Sequence, residues 1–243
     1  MSTVKDSAQD LVFRVLDEPR NPILVVIAGP NGSGKSALTE QLVHVDWFES
    51  DAYINPDNIA QTMPGGWRNP NNFRPAAEYA QDLRYQRLRE AKDIVFETVL
   101  SSPEKLEFLA QAHDRGYFVH LIYVCTFDPT INAARVCQRV MQMGHDVPIE
   151  KIISRYYRSV SFAADSLPLV DVAHLFDNSV PSATPALVAH LEDETLSVCS
   201  NPPEWMAYIR DQSALNDLVV QELQLVGIEE SLSSTSPWLT LPH

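Results

Sequence analysis

Uninterrupted apolar runs alternate along this chain with stretches whose apolar positions recur every three or four residues. Ile23-Leu24-Val25-Val26-Ile27-Ala28 has no polar interruption, as a strand buried on both faces requires. Similar runs at 94–100 and 117–126 predict two further buried strands, and 172–176 predicts a last one, stopped by Asp177-Asn178-Ser179. Ala52-Tyr53-Ile54-Asn55 is a shorter strand candidate. Between these runs, spacing near 3.6 predicts helices over 37–43, 76–92, 103–115, 129–143 and 149–162. Asn55-Pro56 and Asp128-Pro129 mark two helix starts, each a capping side chain followed by the residue that suits the first helical position. Strands and helices alternating in this way predict an α/β fold: a mostly parallel sheet with helices on both faces.

Three stretches fall outside that alternation. Residues 1–18 carry Val4, Leu11, Val12, Val15 and Leu16 at partly helical spacing, which predicts a short helix ended near Pro19 and Pro22. Residues 62–75, rich in Pro, Gly and Asn, predict a mobile loop. Residues 181–243 hold nine acidic residues and one basic residue, Arg210. Pieces near 186–197, 203–210 and 213–226 read as helical there. The expected organisation is a main domain over 1–180 and an acidic, mainly helical C-terminal extension over 181–243.

The first apolar run breaks into Gly29-Pro30-Asn31-Gly32-Ser33-Gly34-Lys35-Ser36, which fits G-x-x-x-x-G-K-[ST], the phosphate-binding P-loop. The glycines let the backbone curl until successive N–H groups converge on phosphate oxygens. Lys35 would reach the β- and γ-phosphates, and the Ser36 hydroxyl would ligate Mg²⁺. The following helix turns its positive end toward the phosphates. A buried strand before the motif and a helix after it make nucleotide-phosphate binding the expected chemistry, within a P-loop NTPase-type fold.

Composition narrows the field. A formal charge of −14 over 243 residues argues against nucleic acid or an anionic membrane as the main partner. Cys125, Cys137 and Cys199 form no C-x-x-C pair, which suggests a reducing compartment and no cysteine metal site. No apolar run approaches membrane-spanning length and the N-terminus lacks a secretory pattern, so a cytoplasmic location is expected.

Against this acidic background, residues 129–160 carry five basic and two acidic side chains. Arg135 and Arg139 share one helix face, and Lys151, Arg155 and Arg158 share a face of the next. They read either as solvated faces or as a helical lid whose guanidinium groups, Arg139 and Arg155 foremost, cover a transferring phosphoryl group. Glu97 is costly inside a strand unless it sits at the strand's C-terminal end. There it could hold a substrate hydroxyl or a metal-bound water, or serve only as a capping carboxylate. Asp57, in a helix's first turn beyond a strand end, is either a general base or an acid stabilised by the helix dipole. His145 with Asp146 could be a catalytic pair, or a pair bracing the connection between two helices, the reading their place in the chain favours.

Taken together, the P-loop, Ile54-Asn55-Pro56-Asp57, Phe96-Glu97-Thr98-Val99-Leu100-Ser101, and Gly144-His145-Asp146-Val147-Pro148 followed by Arg155-Tyr156-Tyr157-Arg158-Ser159 resemble the zeta-toxin family of P-loop kinases, in its short branch. The resemblance spans roughly residues 23–180. It implies an ATP- and Mg²⁺-dependent kinase of a toxin–antitoxin system, whose better-known members phosphorylate UDP-N-acetylglucosamine. It further implies that Lys35 and Ser36 handle ATP and Mg²⁺ and that Asp57 is the base. Glu97 and Thr98 would then seat a UDP-sugar substrate, and Arg139 with Arg155 would stabilise the phosphoryl group, Arg158 being the alternative to Arg155. An antitoxin protein would be the partner. Two other readings stay open: a kinase acting on an antibiotic-type acceptor, and a nucleotide-dependent switch that phosphorylates nothing.

Overall fold

The structure, a computed structural model, describes residues 21–43, 52–143, 148–181, 183–212, 215 and 218–223. Its strands are β1 (Ile23–Ala28), β2 (Tyr53–Ile54), β3 (Ile94–Thr98), β4 (Phe118–Cys125), β5 (Val172–Asp177), β6 (Ala186–Glu192), β7 (Thr195–Val198) and β8 (Val219–Glu222). They form one sheet in the order β2-β3-β1-β4-β5-β6-β7-β8. From β2 to β5 all neighbours are parallel. β6 and β7 then run antiparallel to their predecessors, and β8 is parallel to β7. β1 lies between β3 and β4, which is why all six of its residues are buried and none is polar.

The helices are α1 (Lys35–Val43), α2 (Pro56–Thr62), α3 (Phe73–Arg89), α4 (Pro103–Asp114), α5 (Pro129–Met143), α6 (Ile149–Ser166) and α7 (Glu204–Arg210). Proline opens α2, α4 and α5, where its fixed φ suits the first turn and its missing N–H has no partner to lose. One sheet face carries the main core, in which Leu24, Val26, Phe96 and Leu121 meet Leu88, Leu109, Val160 and Met206. On the other face Val25, Ile27, Val95 and Ile122 form a smaller cluster against Leu38 of α1. Ala133, Val136 and Ile152 join α5 to α6. The architecture is therefore the expected α/β sheet with helices on both faces. Among the described residues no helix is long and apolar enough to cross a membrane.

Three expectations are corrected. Residues 186–197 are not helical but form the β6–β7 hairpin, with Asp193 and Glu194 at φ 48° and 58°. Both turn residues are left-handed, the conformation that a two-residue turn between right-twisted strands requires. Leu187 and Leu191 mimic a helical repeat, but the buried set Ala189, Leu191, Leu196 and Val198 follows strand alternation. Of 213–226, the described residues include the strand β8 rather than a helix. The C-terminal stretch thus widens the sheet, and α7 plants Trp205, Met206 and Ile209 in the main core. Trp205 Nε1 donates to Asp177 Oδ2 at 2.9 Å, tying α7 to the end of β5.

Residues 62–75 are likewise not an open loop. They form two short 3₁₀ turns, Gly66–Arg68 and Pro70–Asn72, and α3 starts at Phe73 rather than 76. Asn72 is buried and its Nδ2 donates to Pro64 O and Gly66 O at 3.1 and 2.8 Å. A side-chain amide replaces the missing secondary-structure partners. The helix expected over 1–18 and the pair His145 and Asp146 lie outside the described residues.

Across β4, β5 and β6 runs a ladder of histidines. His120 Nε2 and His174 Nδ1 share a hydrogen bond at 2.9 Å, and the rings of His174 and His190 lie 4.6 Å apart. Burial, with His190 adding, holds His120 down to about 4 from its ordinary 6.5; burial lowers His174 and His190 as well. The folded chain therefore refuses protons that the unfolded chain accepts below pH 6.5, so stability is lost as pH falls from 6.5 toward 4. His120 alone removes about 2 kcal/mol by pH 5. Urea unfolding at pH 7.5 and pH 5 checks this; the midpoint drops at pH 5, and part of the drop vanishes in His120→Leu.

Candidate active site

The site grows from the C-terminal end of β1, where the chain must leave the sheet within a few residues and enter α1. Gly29, Gly32 and Gly34 take φ of 144°, 80° and 103°, a region that L side chains rarely adopt. Space is closed as well: a Cβ on Gly29 would lie 2.0 Å from Val124 O, and one on Gly32 would lie 2.5 Å from Asn132 O. Neighbouring elements hold the turn from outside. Gly29 N donates to Thr98 O at 3.2 Å. Asn132 Nδ2 donates to Asn31 O, and Asn178 Nδ2 to Ser33 O, both at 2.8 Å. Among the described residues, Ser33 Oγ is the buried side-chain polar atom with no hydrogen-bond partner, and it lies in this turn.

Lys35 folds back over the turn, its Nζ donating to Gly29 O at 2.8 Å and Pro30 O at 2.9 Å. Although the residue keeps some exposure, its ammonium group is enclosed. Burial pushes it down to about 8, Glu97 opposes that shift, and Arg139 reinforces it. Two neighbouring cations and one carboxylate make a place where added anionic oxygens are stabilised.

Glu97, next to last in β3, accepts on both oxygens. Ser36 Oγ donates to Oε2 at 3.1 Å, and Tyr53 OH donates to Oε1 at 2.8 Å. Tyr53 OH in turn accepts from Asn55 Nδ2 at 2.8 Å. Asn55 caps α2, its Oδ1 taking the Asp57 N–H at 2.8 Å. Thr98 turns its hydroxyl to its own backbone, Oγ1 accepting from Leu100 N at 3.1 Å. Leu100, fully buried, holds φ at 50°. A bulky residue in that region is strained, and strain of this kind gathers at functional sites.

These parts face one cavity of about 480 Å³, lined by the turn, Lys35, Ser36, Asn55, Asp57, Glu97, Thr98, Arg135 and Arg139. Fold and sequence thus bring the phosphate-binding turn, both candidate carboxylates and two arginines of α5 together. Arg135 also reaches Gly32 O at 3.5 Å. Arg155 and Arg158, on α6, do not line this cavity; Arg158 is exposed and its Nε contacts Ser154 O at 3.4 Å. Sequence reasoning passed over Tyr53, Asn132 and Asn178. Tyr53 looks like an ordinary strand residue and Asn132 like a helix interior residue. Asn178 stood out only as part of the stop after β5.

Comparison with known proteins follows this geometry. The zeta toxin family model matches residues 8–165. An uncharacterized protein of Haemophilus influenzae is 30% identical over 139 residues, which are 54% of this chain and 91% of that protein. A chain from the crystal structure of AvrRxo1-ORF1:-ORF2 with ATP superposes at TM-score 0.59 with 17% identity, over 82% of this chain; this chain spans 66% of that one. A chain from the PezAT chromosomal toxin–antitoxin system of Streptococcus pneumoniae superposes at TM-score 0.51 with 13% identity, over 90% of this chain and 86% of that one. At such identities the two structures show a shared fold.

Gly29→Ala tests the turn. Its Cβ meets the Val124 carbonyl and its φ suits only glycine, so unfolding free energy falls by about 3 kcal/mol in thermal or urea denaturation.

Proposed function

The chain belongs to the zeta toxin family, and from that premise we propose that it is an ATP-dependent kinase that phosphorylates a hydroxyl of a small or nucleotide-activated sugar. The observation that carries this reading is one cavity shared by a P-loop lysine, the α2 carboxylate Asp57 and the α5 arginines. A nucleotide switch has no need of a free carboxylate facing its phosphates. The neighbouring structure solved with ATP supports the choice of nucleotide.

In this reading the backbone N–H groups of Asn31, Gly32, Gly34 and Lys35 and the Lys35 ammonium bind the β- and γ-phosphates of ATP. The residues also fit Mg²⁺, because a hydroxyl and a carboxylate supply the hard oxygen donors it prefers. Ser36 would hold the ion, with Glu97 fixing the hydroxyl; when bound, the ion neutralises phosphate charge. Asp57 accepts the proton of the acceptor hydroxyl as its oxygen bonds to the γ-phosphorus and the bond from that phosphorus to the β–γ bridging oxygen breaks. Arg139 and Arg135 stabilise the charge that develops on the transferring group. ADP and the phosphorylated acceptor leave, and Asp57 returns its proton to water. Arg155 or Arg158 completes the arginine set only if α6 moves toward the cavity.

The acceptor we propose is a UDP-N-acetylglucosamine-like sugar, seated by Glu97 and Thr98, and the kinase itself acts as a toxin held in check by an antitoxin protein. The PezAT toxin–antitoxin system and the AvrRxo1-ORF1:AvrRxo1-ORF2 structure support the partner. Residues 1–180 form the catalytic unit in this proposal and 181–243 a C-terminal extension, whose described strands β6, β7 and β8 continue the sheet. The free thiols of Cys125, Cys137 and Cys199 suit a reducing, cytoplasmic setting.

Mass spectrometry of reactions containing ATP, Mg²⁺ and a panel of UDP-sugars tests the proposal. A UDP-N-acetyl sugar gains one phosphate with wild type. Asp57→Asn lowers turnover roughly 10²–10⁴-fold while ATP affinity is kept. ATP binding with no acceptor modified in a wide panel would move the protein to the switch class. In cells, wild-type expression arrests growth and Lys35→Ala relieves the arrest.

A further inference from the structure

Tyr53 stands at the middle of a hydrogen-bond chain in which every donor and acceptor direction is determined. Asp57 N–H donates to Asn55 Oδ1, Asn55 Nδ2 donates to Tyr53 OH, and Tyr53 OH donates to Glu97 Oε1. Ser36 Oγ donates to the other oxygen, Glu97 Oε2. The chain thus joins the P-loop hydroxyl to the first turn of α2, two parts of the cavity that no backbone ladder connects directly. β2 is only two residues long; its register partners in β3 are Val95 and Phe96, and Ala52 O beside it accepts from Val95 N at 2.9 Å. With so short a strand, the placement of α2 depends on side-chain contacts.

The Tyr53 side chain suits this task. Its register partner is Val95, so its ring lies on the same sheet face as Glu97 and packs in the cluster that contains Val95 and Leu38. The apolar ring anchors on the sheet and α1, and the hydroxyl reaches the polar edge. Burial and the Glu97 carboxylate both hold the phenol above its ordinary range, so it remains a donor.

We propose that Tyr53 is a positioning residue that couples the metal-side pair Ser36–Glu97 to the α2 base Asp57. By engaging one Glu97 oxygen, Tyr53 leaves the other directed at Ser36. The Ser36 proton then points to Glu97 and its lone pairs are left for a cation. By accepting from Asn55, Tyr53 fixes the amide orientation that caps α2 and so sets where Asp57 faces. This assignment rests on the proposed kinase reading, in which Ser36 holds Mg²⁺ and Asp57 is the base.

Tyr53→Phe keeps the ring and removes only the hydroxyl. The first readout is nucleotide binding without turnover, measured by titrating Mg²⁺ at fixed fluorescent ATP analogue. The expected result is a Mg²⁺ half-point raised about 10-fold, with magnesium-free nucleotide affinity unchanged. The second is turnover with the acceptor found for wild type: kcat falls about 10- to 100-fold with the KM for ATP little changed. Asn55→Asp keeps the helix cap but cannot donate to Tyr53, and shifts both readouts the same way. Tyr79→Phe, at an exposed tyrosine of α3 that does not line the cavity, shifts neither. A Mg²⁺ half-point equal to wild type in both Tyr53→Phe and Asn55→Asp overturns the proposal, whether or not an acceptor is found. Absent phosphoryl transfer by wild type overturns the kinase reading and, with it, the coupling to a base.

Discussion

The turn between β1 and α1 is the constraint on which the rest of this structure depends. It needs three backbone conformations that side chains disfavour, and it needs them where the carbonyls of Val124 and Asn132 and the Asn178 amide leave no room for a Cβ. Such a turn does not hold its shape alone. Thr98, Asn132 and Asn178 grip its backbone from β3, α5 and the end of β5. The loop is therefore held by β3, which flanks β1 in the sheet, and by the segments that follow β4 and β5. A central parallel strand serves this purpose because its C-terminal end is surrounded by other strand ends.

Charge is organised around the same point. The chain is strongly acidic, yet its cavity gathers Lys35, Arg135 and Arg139 against Glu97 and Asp57. Burial works against the Lys35 charge, and an anionic ligand relieves that cost. The cavity is thus an electropositive recess in an acidic surround, which favours phosphate and disfavours long polyanions. Glu97 has a different part: both its oxygens are engaged by hydroxyl donors, so it orders the site more than it repels ligand.

The C-terminal stretch shows how one sheet absorbs a segment whose composition differs from the rest. β6 pairs with β5, β7 with β6, and Trp205 bonds Asp177 beside the loop that carries Asn178. Segments distant in sequence from the P-loop therefore brace an element that touches it.

Much of this was written in the chain. The apolar runs, the helix-start pairs Asn55-Pro56 and Asp128-Pro129, and the P-loop made legible the α/β class, the places of the first five strands along the chain and the candidate phosphate site. These are local matters: periodicity, capping and glycine conformation act within a few residues. Only the tertiary structure decided that 186–198 is a hairpin, because Leu187 and Leu191 satisfy helical spacing and strand pairing alike until a partner strand is present. It alone placed Asn132 and Asn178 behind the turn, since they meet Asn31 and Ser33 across 101 and 145 residues of chain. It alone joined Ser36, Glu97, Tyr53 and Asn55 into one hydrogen-bonded series. A hydrogen bond between distant residues leaves no periodic trace in sequence; it exists once packing has brought the two groups within 3 Å or so of each other.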